Sequence, residues 1–305
     1  MAEQYKLLFV ESFKGRVLFN VPMKEYTTLR IGGPADVMAF PKDEADLKHL
    51  LSFAGAKGFK VYVIGAGSNI LVRDGGIRGI VVNITEGFTD ISWLDDERAV
   101  VGAGVRLSTL CRECAERGLS GIEFAAGIPA TVGGAVYMNA GAYGSEMKDV
   151  VEGVEVIGRR GKKGFIPKAD IGFAYRHTEL PEDAVIVNVH MKFRRADRKA
   201  IEEKMKEFRK RRDKTTPIGL PSAGSIFKNP EGVAAGKLIE EAGLKGVSSG
   251  DAKISEVHAN YIVNTGNARA TDVLNLIALM RDRVFAKTGI MLEPEIKVIG
   301  ESLTR

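Results

Sequence analysis

The sequence predicts an α+β protein with more than one domain, on three observations. The chain has 305 residues, enough for two or three cores. Short β-branched runs alternate with apolar stripes at helical spacing, with no internal repeat and no run of membrane-spanning length. The third observation is the stretch 61–69, Val-Tyr-Val-Ile-Gly-Ala-Gly-Ser-Asn. It begins like the glycine fingerprint of a dinucleotide fold, but Ile70 stands where the third glycine belongs. The chain then continues as another strand, 70–72, instead of opening a helix. That context excludes a Rossmann unit and leaves a turn between strands whose N–H groups suit a phosphate. An ordinary tight turn accounts for the same residues.

The other elements follow in order. Residues 1–26 read as a mixed lead-in. Residues 27–31 read as a strand entering the turn Gly32-Gly33-Pro34, and 37–40 as a short strand. Leu47, Leu50, Leu51 and Ala54 recur at i, i+3, i+4, i+7 and mark a helix face, with Gly58 as its left-handed cap. Strands are predicted at 80–84 and 99–101. Leu107, Leu110, Cys111, Cys114 and Ala115 form a second helix face. With no second cysteine pair to complete a zinc site, the two cysteines read as packing residues. Strands return at 151–157, 165–167 and 184–193. A basic run over 194–214 carries Ile201, Met205 and Phe208 on one helix face and reads as a solvated linker. A further helix shows Ala235, Leu238, Ile239 and Ala242, stopped by Gly243. A strand at 258–264, a long helix over 270–287 with Thr271 as N-cap and Gly289 as C-cap, and an edge-like strand at 292–300 close the chain.

The net charge is +5, which suits an anionic small molecule as well as nucleic acid. The two cysteines give no disulfide framework. The first apolar run, 7–10, is short and flanked by Glu3 and Glu11, so no signal peptide is predicted and the protein is expected in the cytoplasm. The segment 125–144 holds five glycines, several alanines and little charge. Small residues bury little area but make good walls for a flat ligand that needs backbone contact. Two such segments about sixty residues apart point to one extended ligand, phosphates at one and a ring system at the other. A flavin dinucleotide fits this better than a mononucleotide; two glycine-rich surface loops are the alternative.

Four signatures stand in order: the 65–69 loop, the 127–144 segment, Tyr175-Arg176, and Gly224-Ser225-Ile226-Phe227-Lys228-Asn229-Pro230 with a terminal Leu292-Glu293-Pro294-Glu295. Together they resemble the UDP-N-acetylenolpyruvoylglucosamine reductase (UDP-N-acetylmuramate dehydrogenase) family of bacterial peptidoglycan synthesis, nearly end to end. The resemblance implies a vanillyl-alcohol-oxidase-type flavin-binding domain plus a smaller α+β substrate domain. It implies an FAD-binding region over 1–212 with lobes 1–60 and 61–212, a substrate domain over 213–288, and a terminal strand, 289–305, returning to the flavin side. No tyrosine lies between Arg176 and Ser225, as in the shorter subgroup that lacks the tyrosine loop.

The same resemblance implies the chemistry. NADPH reduces FAD, and the hydride passes to the enolpyruvyl β-carbon of UDP-N-acetylglucosamine enolpyruvate. The candidate catalytic residues are Arg176, facing the charge that develops on the substrate carboxylate, Ser225, protonating the enolate-like carbon, and Glu295. An ionised carboxylate beside a forming enolate would repel it, so Glu295 is expected to be partly buried with a raised pKa. Gly65, Ala66, Gly67, Ser68, Asn69, Gly127, Thr131, Gly133, Gly134 and Asn139 are the candidate FAD-binding residues. Tyr175, Asn229 and Lys237 are the candidate substrate-binding residues. His258 and Asn260 are expected to support the substrate domain by hydrogen bonds, and the scattered histidines predict no metal site. The chain is expected to act as a monomer on a small molecule, with no nucleic-acid or membrane partner. An oxygen-using oxidase on the same scaffold and a nucleic-acid module centred on 198–214 are the competing readings.

Overall fold

The computed structural model describes residues 13–158 and 160–303; the apolar run at 7–10 and most of the lead-in lie outside them. The chain divides into two compact units. The first takes the described part of Met1–Phe19, with Val37–Ala66 and Gly79–Arg211. The second takes Asn20–Asp36, Gly67–Arg78 and the described part of Arg212–Arg305.

A four-stranded sheet, most of whose residues belong to the first unit, runs in the order Arg16–Pro22, Pro34–Phe40, Ile77–Asn83, Val61–Ile64. Helix α1, Glu44–Lys57, has the expected apolar face at Leu47, Leu50, Leu51 and Ala54. Asp43 caps it by accepting the Asp46 N–H, and Gly58 ends it at φ 71°, a left-handed conformation that favours glycine. A five-stranded antiparallel sheet follows, ordered Lys163–Pro167, Val151–Ile157, Val185–Lys192, Arg98–Gly102, Ile91–Trp93. Helix α2, Leu107–Glu116, buries both Cys111 and Cys114. Burial pushes the Cys111 thiol up to about 12 and raises Cys114 as well, so neither is a ready thiolate. A short helix, α3, Val132–Tyr137, lies within the glycine-rich segment. The basic run forms α4, Arg198–Thr215, burying only Ile201, with Met205 and Phe208 packed at the edge of the core.

The second unit has its own core. Its antiparallel sheet is ordered Ser222–Ser225, Tyr261–Asn264, Ala252–Ile254, Ser248–Ser249. Helices α5, Ala235–Glu241, and α6, Ala270–Thr288, contribute Leu238, Ile239, Val273, Leu276 and Met280 to that core. Three expectations are corrected. Residues 27–30 form a turn, because Thr27 Oγ1 donates to the Ile31 carbonyl and Arg30 adopts φ 55°. The terminal strand is only Lys297–Ile299, and it pairs in parallel with Ile70–Val72. Thr271 is not the N-cap of α6: Asp74 accepts the N–H groups of Ala270 and Thr271 and the Thr271 hydroxyl at 2.7–3.0 Å. A carboxylate from a distant loop thus satisfies the helix start.

Candidate active site

The first unit supplies a surface of backbone and small side chains. Gly65 has to be glycine, since a Cβ there would lie 2.2 Å from Thr131 Oγ1. Thr131, fully buried, caps α3 by accepting the Gly134 N–H at 3.3 Å. Gly133 donates its N–H to the Ala103 carbonyl at 2.8 Å, and a Cβ on it would meet Ala103 at 2.7 Å. Gly134 is different: an added Cβ meets only Thr131 Oγ1, at 3.3 Å. Gly127 is half-buried on the loop before α3. Asn139, buried and at φ 40°, donates to Glu146 and to the Ala174 carbonyl and accepts the Lys148 N–H. Its side chain is committed to protein partners and fixes the shape of the loop.

Tyr175 and Arg176 form the two-residue turn of a hairpin, Gly172–Ala174 with His177–Glu179. Arg176 sits at φ 53°, a conformation that costs a non-glycine residue about 1 kcal/mol or more. Its guanidinium donates to the Gly141 carbonyl at 2.6 Å and lies 4.9 Å from the Tyr175 ring centre. Tyr175 is 47% exposed. The hairpin and the glycine-rich segment are thereby tied through Arg176 to Gly141 and through Asn139 to Ala174.

The second unit supplies positioned side chains. Gly67 adopts φ 65°, and a Cβ there would lie 2.0 Å from the Tyr26 carbonyl oxygen. The requirement for glycine at 67 is therefore set by the protein's own backbone rather than by ligand space. Among the described residues, the N–H groups of Ala66, Gly67, Ser68 and Asn69 take no protein partner. Asn69 donates its side-chain amide to the Glu295 carbonyl at 3.3 Å, and its own carbonyl accepts the Lys297 N–H. Ser225 ends a strand that bulges at Ala223 and Gly224, the latter at φ 74°. Ser225 is half-buried, and its hydroxyl takes no partner among the described residues. Glu295, also partly buried, donates its N–H to the Ile226 carbonyl at 2.8 Å. The backbones of Ser225 and Glu295 are thus one residue and one hydrogen bond apart. Asn229 caps α5 by accepting the Ala235 N–H, and Lys237 is an exposed residue of α5, 3.8 Å from Glu241.

The family model for the UDP-N-acetylenolpyruvoylglucosamine reductase C-terminal domain matches residues 216–299, and an FAD binding domain model matches 35–163. The UDP-N-acetylenolpyruvoylglucosamine reductase of Heliobacterium modesticaldum is 49% identical over 292 residues, covering 95% of this chain and 93% of its own. The chain belongs to the UDP-N-acetylenolpyruvoylglucosamine reductase family. The crystal structure of the reductase from Thermus caldophilus is 39% identical, with TM-score 0.79, covering 93% of this chain and 98% of that one. An alkyldihydroxyacetonephosphate synthase is 14% identical with TM-score 0.50, over 64% of this chain and 41% of that one, a likeness of fold alone. The flavin-binding fold and the α+β class expected from the sequence stand on these matches.

Within a reductase of this family, some residues that matter to the site carry no motif of their own. Asp74 holds the start of α6. Thr28 donates to the Ser222 carbonyl at 2.7 Å, and Asn264 donates to the Leu29 carbonyl at 3.2 Å; the first ties the 27–31 turn to the Ser225 strand and the second ties it to the neighbouring strand Tyr261–Asn264. Their partners lie roughly 190 residues or more away in sequence, so no local pattern announces them. Among the described residues no group of three His, Cys, Asp or Glu is set to hold a metal ion, and no helix is long and apolar enough to cross a membrane.

Proposed function

We propose that the chain reduces UDP-N-acetylglucosamine enolpyruvate to UDP-N-acetylmuramate with NADPH and FAD, acting as a cytoplasmic monomer. The residues fit the cofactor: the unpartnered N–H groups of Ala66, Gly67, Ser68 and Asn69 suit a diphosphate, and Gly127, Thr131, Gly133, Gly134 and Asn139 shape a side-chain-poor surface for the ring system. FAD, when bound there, would supply the relay of a hydride from NADPH to the enolpyruvyl β-carbon. The remaining work belongs to the chain. Arg176 faces the carboxylate on which charge develops, a role worth ~10²–10³ in rate for one lost stabiliser. Ser225 gives its proton to the enolate-like carbon. Glu295 stands beside that carbon. Tyr175, Asn229 and Lys237 hold the substrate, Lys237 and Asn229 at its diphosphate.

The observation that carries this reading is the pairing of the Ser225 segment with the Glu295 segment, Ile226 carbonyl to Glu295 N–H at 2.8 Å. It ties the backbones of a proton donor and a carboxyl group to one another, next to a hydroxyl left without a partner. Anaerobic mixing tests the reading. NADPH should bleach the yellow protein, and UDP-N-acetylglucosamine enolpyruvate should restore the colour with formation of UDP-N-acetylmuramate. Bleaching by an alcohol but not by NADPH would instead make the protein an oxidase on the same scaffold.

A further inference from the structure

Between Ser225 and Glu295 stands one dipeptide, Ile226 and Phe227, and one side chain grips it. We infer that Asn260 is a positioning residue for Ser225 and Glu295, acting through that dipeptide; the inference rests on the reductase reading above. Asn260 Oδ1 accepts the Phe227 N–H at 2.9 Å, and Asn260 Nδ2 donates to the Phe227 carbonyl at 2.8 Å. The Asn260 carbonyl accepts the Ile226 N–H at 2.8 Å. Three hydrogen bonds from one residue therefore fix the three successive peptide units that follow Ser225, one bond to each. The Ile226 carbonyl accepts the Glu295 N–H, and Phe227 bridges to Pro294. The orientation of Ser225 and the placement of Glu295 are read off the same clamped dipeptide.

The clamp needs asparagine. Its amide offers one donor and one acceptor in a single plane, which match the N–H and carbonyl of one residue. Asn260 is 2% exposed, and the Ile226 and Phe227 side chains are buried in the core of the second unit. Water has no access to substitute for a lost bond. Beneath the clamp, His258 Nδ1 accepts the Asn260 N–H at 3.2 Å, which requires that nitrogen to be unprotonated. Burial, with Lys245 nearby, holds the His258 ring below the usual histidine range and so favours that form. Gly236 of α5 makes room for the ring, since a Cβ there would lie 2.8 Å from His258 Cε1.

Asn260→Asp and Asn260→Ala test the inference by stopped-flow of the two half-reactions, by the configuration of the lactyl product, and by backbone amide exchange. Reduction of bound FAD by NADPH should stay within about twofold of wild type. Reoxidation by UDP-N-acetylglucosamine enolpyruvate should slow ~10–100-fold, the scale of an ångström-sized misplacement. Solvent should then compete with Ser225 for the carbon, so a second lactyl epimer should appear. A protonated aspartic acid restores both Phe227 bonds, so reoxidation by Asn260→Asp should recover as pH falls from about 8 to about 5. The groups facing this position are His258, with Lys245 and Glu240 beyond it, and Glu295 through Ile226. They are common to wild type, whose profile is the reference. Unchanged reoxidation with a single epimer, or an equal loss in both half-reactions, would overturn the inference. Amide exchange at Phe227 and Glu295 separates it from the reductase reading. If wild type fails to reduce the enolpyruvyl substrate, that reading falls. Faster exchange at both amides in Asn260→Ala would still support the clamp, and unchanged exchange would overturn it.

Discussion

The glycine-rich segment of the first unit and the Ser225 segment of the second use their polar groups in opposite ways. In the first, the polar side chains are consumed internally: Thr131 caps α3, and Asn139 ties Glu146, Ala174 and Lys148 together. What remains for a ligand is backbone and the absence of side chains. In the second, the backbone is consumed, with Ile226, Phe227 and Glu295 all engaged, and the Ser225 hydroxyl is left over. Binding a large flat cofactor asks for close approach, which small residues allow. Moving a proton asks for one side chain held still, which a tied backbone provides.

The largest expected effect tests the cofactor half. Gly67→Val forces a branched side chain into φ 65° and against the Tyr26 carbonyl, so the purified protein should carry no flavin absorbance and should melt at lower temperature. Gly134→Ala sharpens the same point. Its Cβ would meet the buried cap Thr131 Oγ1 at 3.3 Å, a tight contact that offsets the helical preference for alanine, so stability should change by less than ~1 kcal/mol. Its affinity for FAD should nevertheless fall, as titration of the apoprotein would show. Unchanged affinity would remove Gly134 from the cofactor surface.

Next comes Arg176. Arg176→Gly keeps the left-handed turn and removes only the guanidinium, so it should fold normally and lose ~10²–10³ in reoxidation by the enolpyruvyl substrate. A loss confined to folding stability would make Arg176 a tie to Gly141 and nothing more. Glu295→Gln is expected to keep more activity than Glu295→Ala in steady-state assays, because an amide still donates a hydrogen bond. Equal loss would point to a charged carboxylate instead.

The smallest effects are those of pH on the two units. Glu155 sits at about 2: burial works against this, but hydrogen bonds from Lys163, Asn188 and His190 overcome it. Its contribution is present above the unfolded value of ~4.3 and is lost as pH falls toward 2. His258 is depressed by burial, so its contribution is present above ~6.5 and is lost as pH falls through the lowered value. Amide exchange should therefore loosen around Tyr261 on mild acidification, while Val154 and Val189 hold until the pH is below ~4. The reverse order would contradict both assignments.

Much of this was legible in the sequence because it is local. The α1 stripe with Gly58, the α2 face with its buried cysteines, and the four ordered motifs all depend on neighbours in the chain. The failures share the opposite cause. Thr271 is a good N-cap by type, but Asp74 reaches α6 from nearly 200 residues away. The 27–31 stretch has strand composition, yet Thr27 closes it into a turn. Gly67 reads as ligand space, whereas the Tyr26 carbonyl accounts for it. The positive φ of Arg176, which shapes the candidate site, has no signal in residue type, whereas that of Asn139 matches asparagine's tolerance of the left-handed region.

The division between a cofactor surface and a proton-donating segment is tested most directly by stopped-flow absorbance on Ser225→Ala, with the two substrates added separately. Reduction of the bound flavin by NADPH should be nearly that of wild type, because no proton goes to the substrate carbon in that step. Reoxidation by UDP-N-acetylglucosamine enolpyruvate should slow by ~10²–10⁴, the range for a lost general acid, and Ser225→Cys should recover part of it. A Ser225→Ala protein that is slow with NADPH and normal in reoxidation would contradict the account.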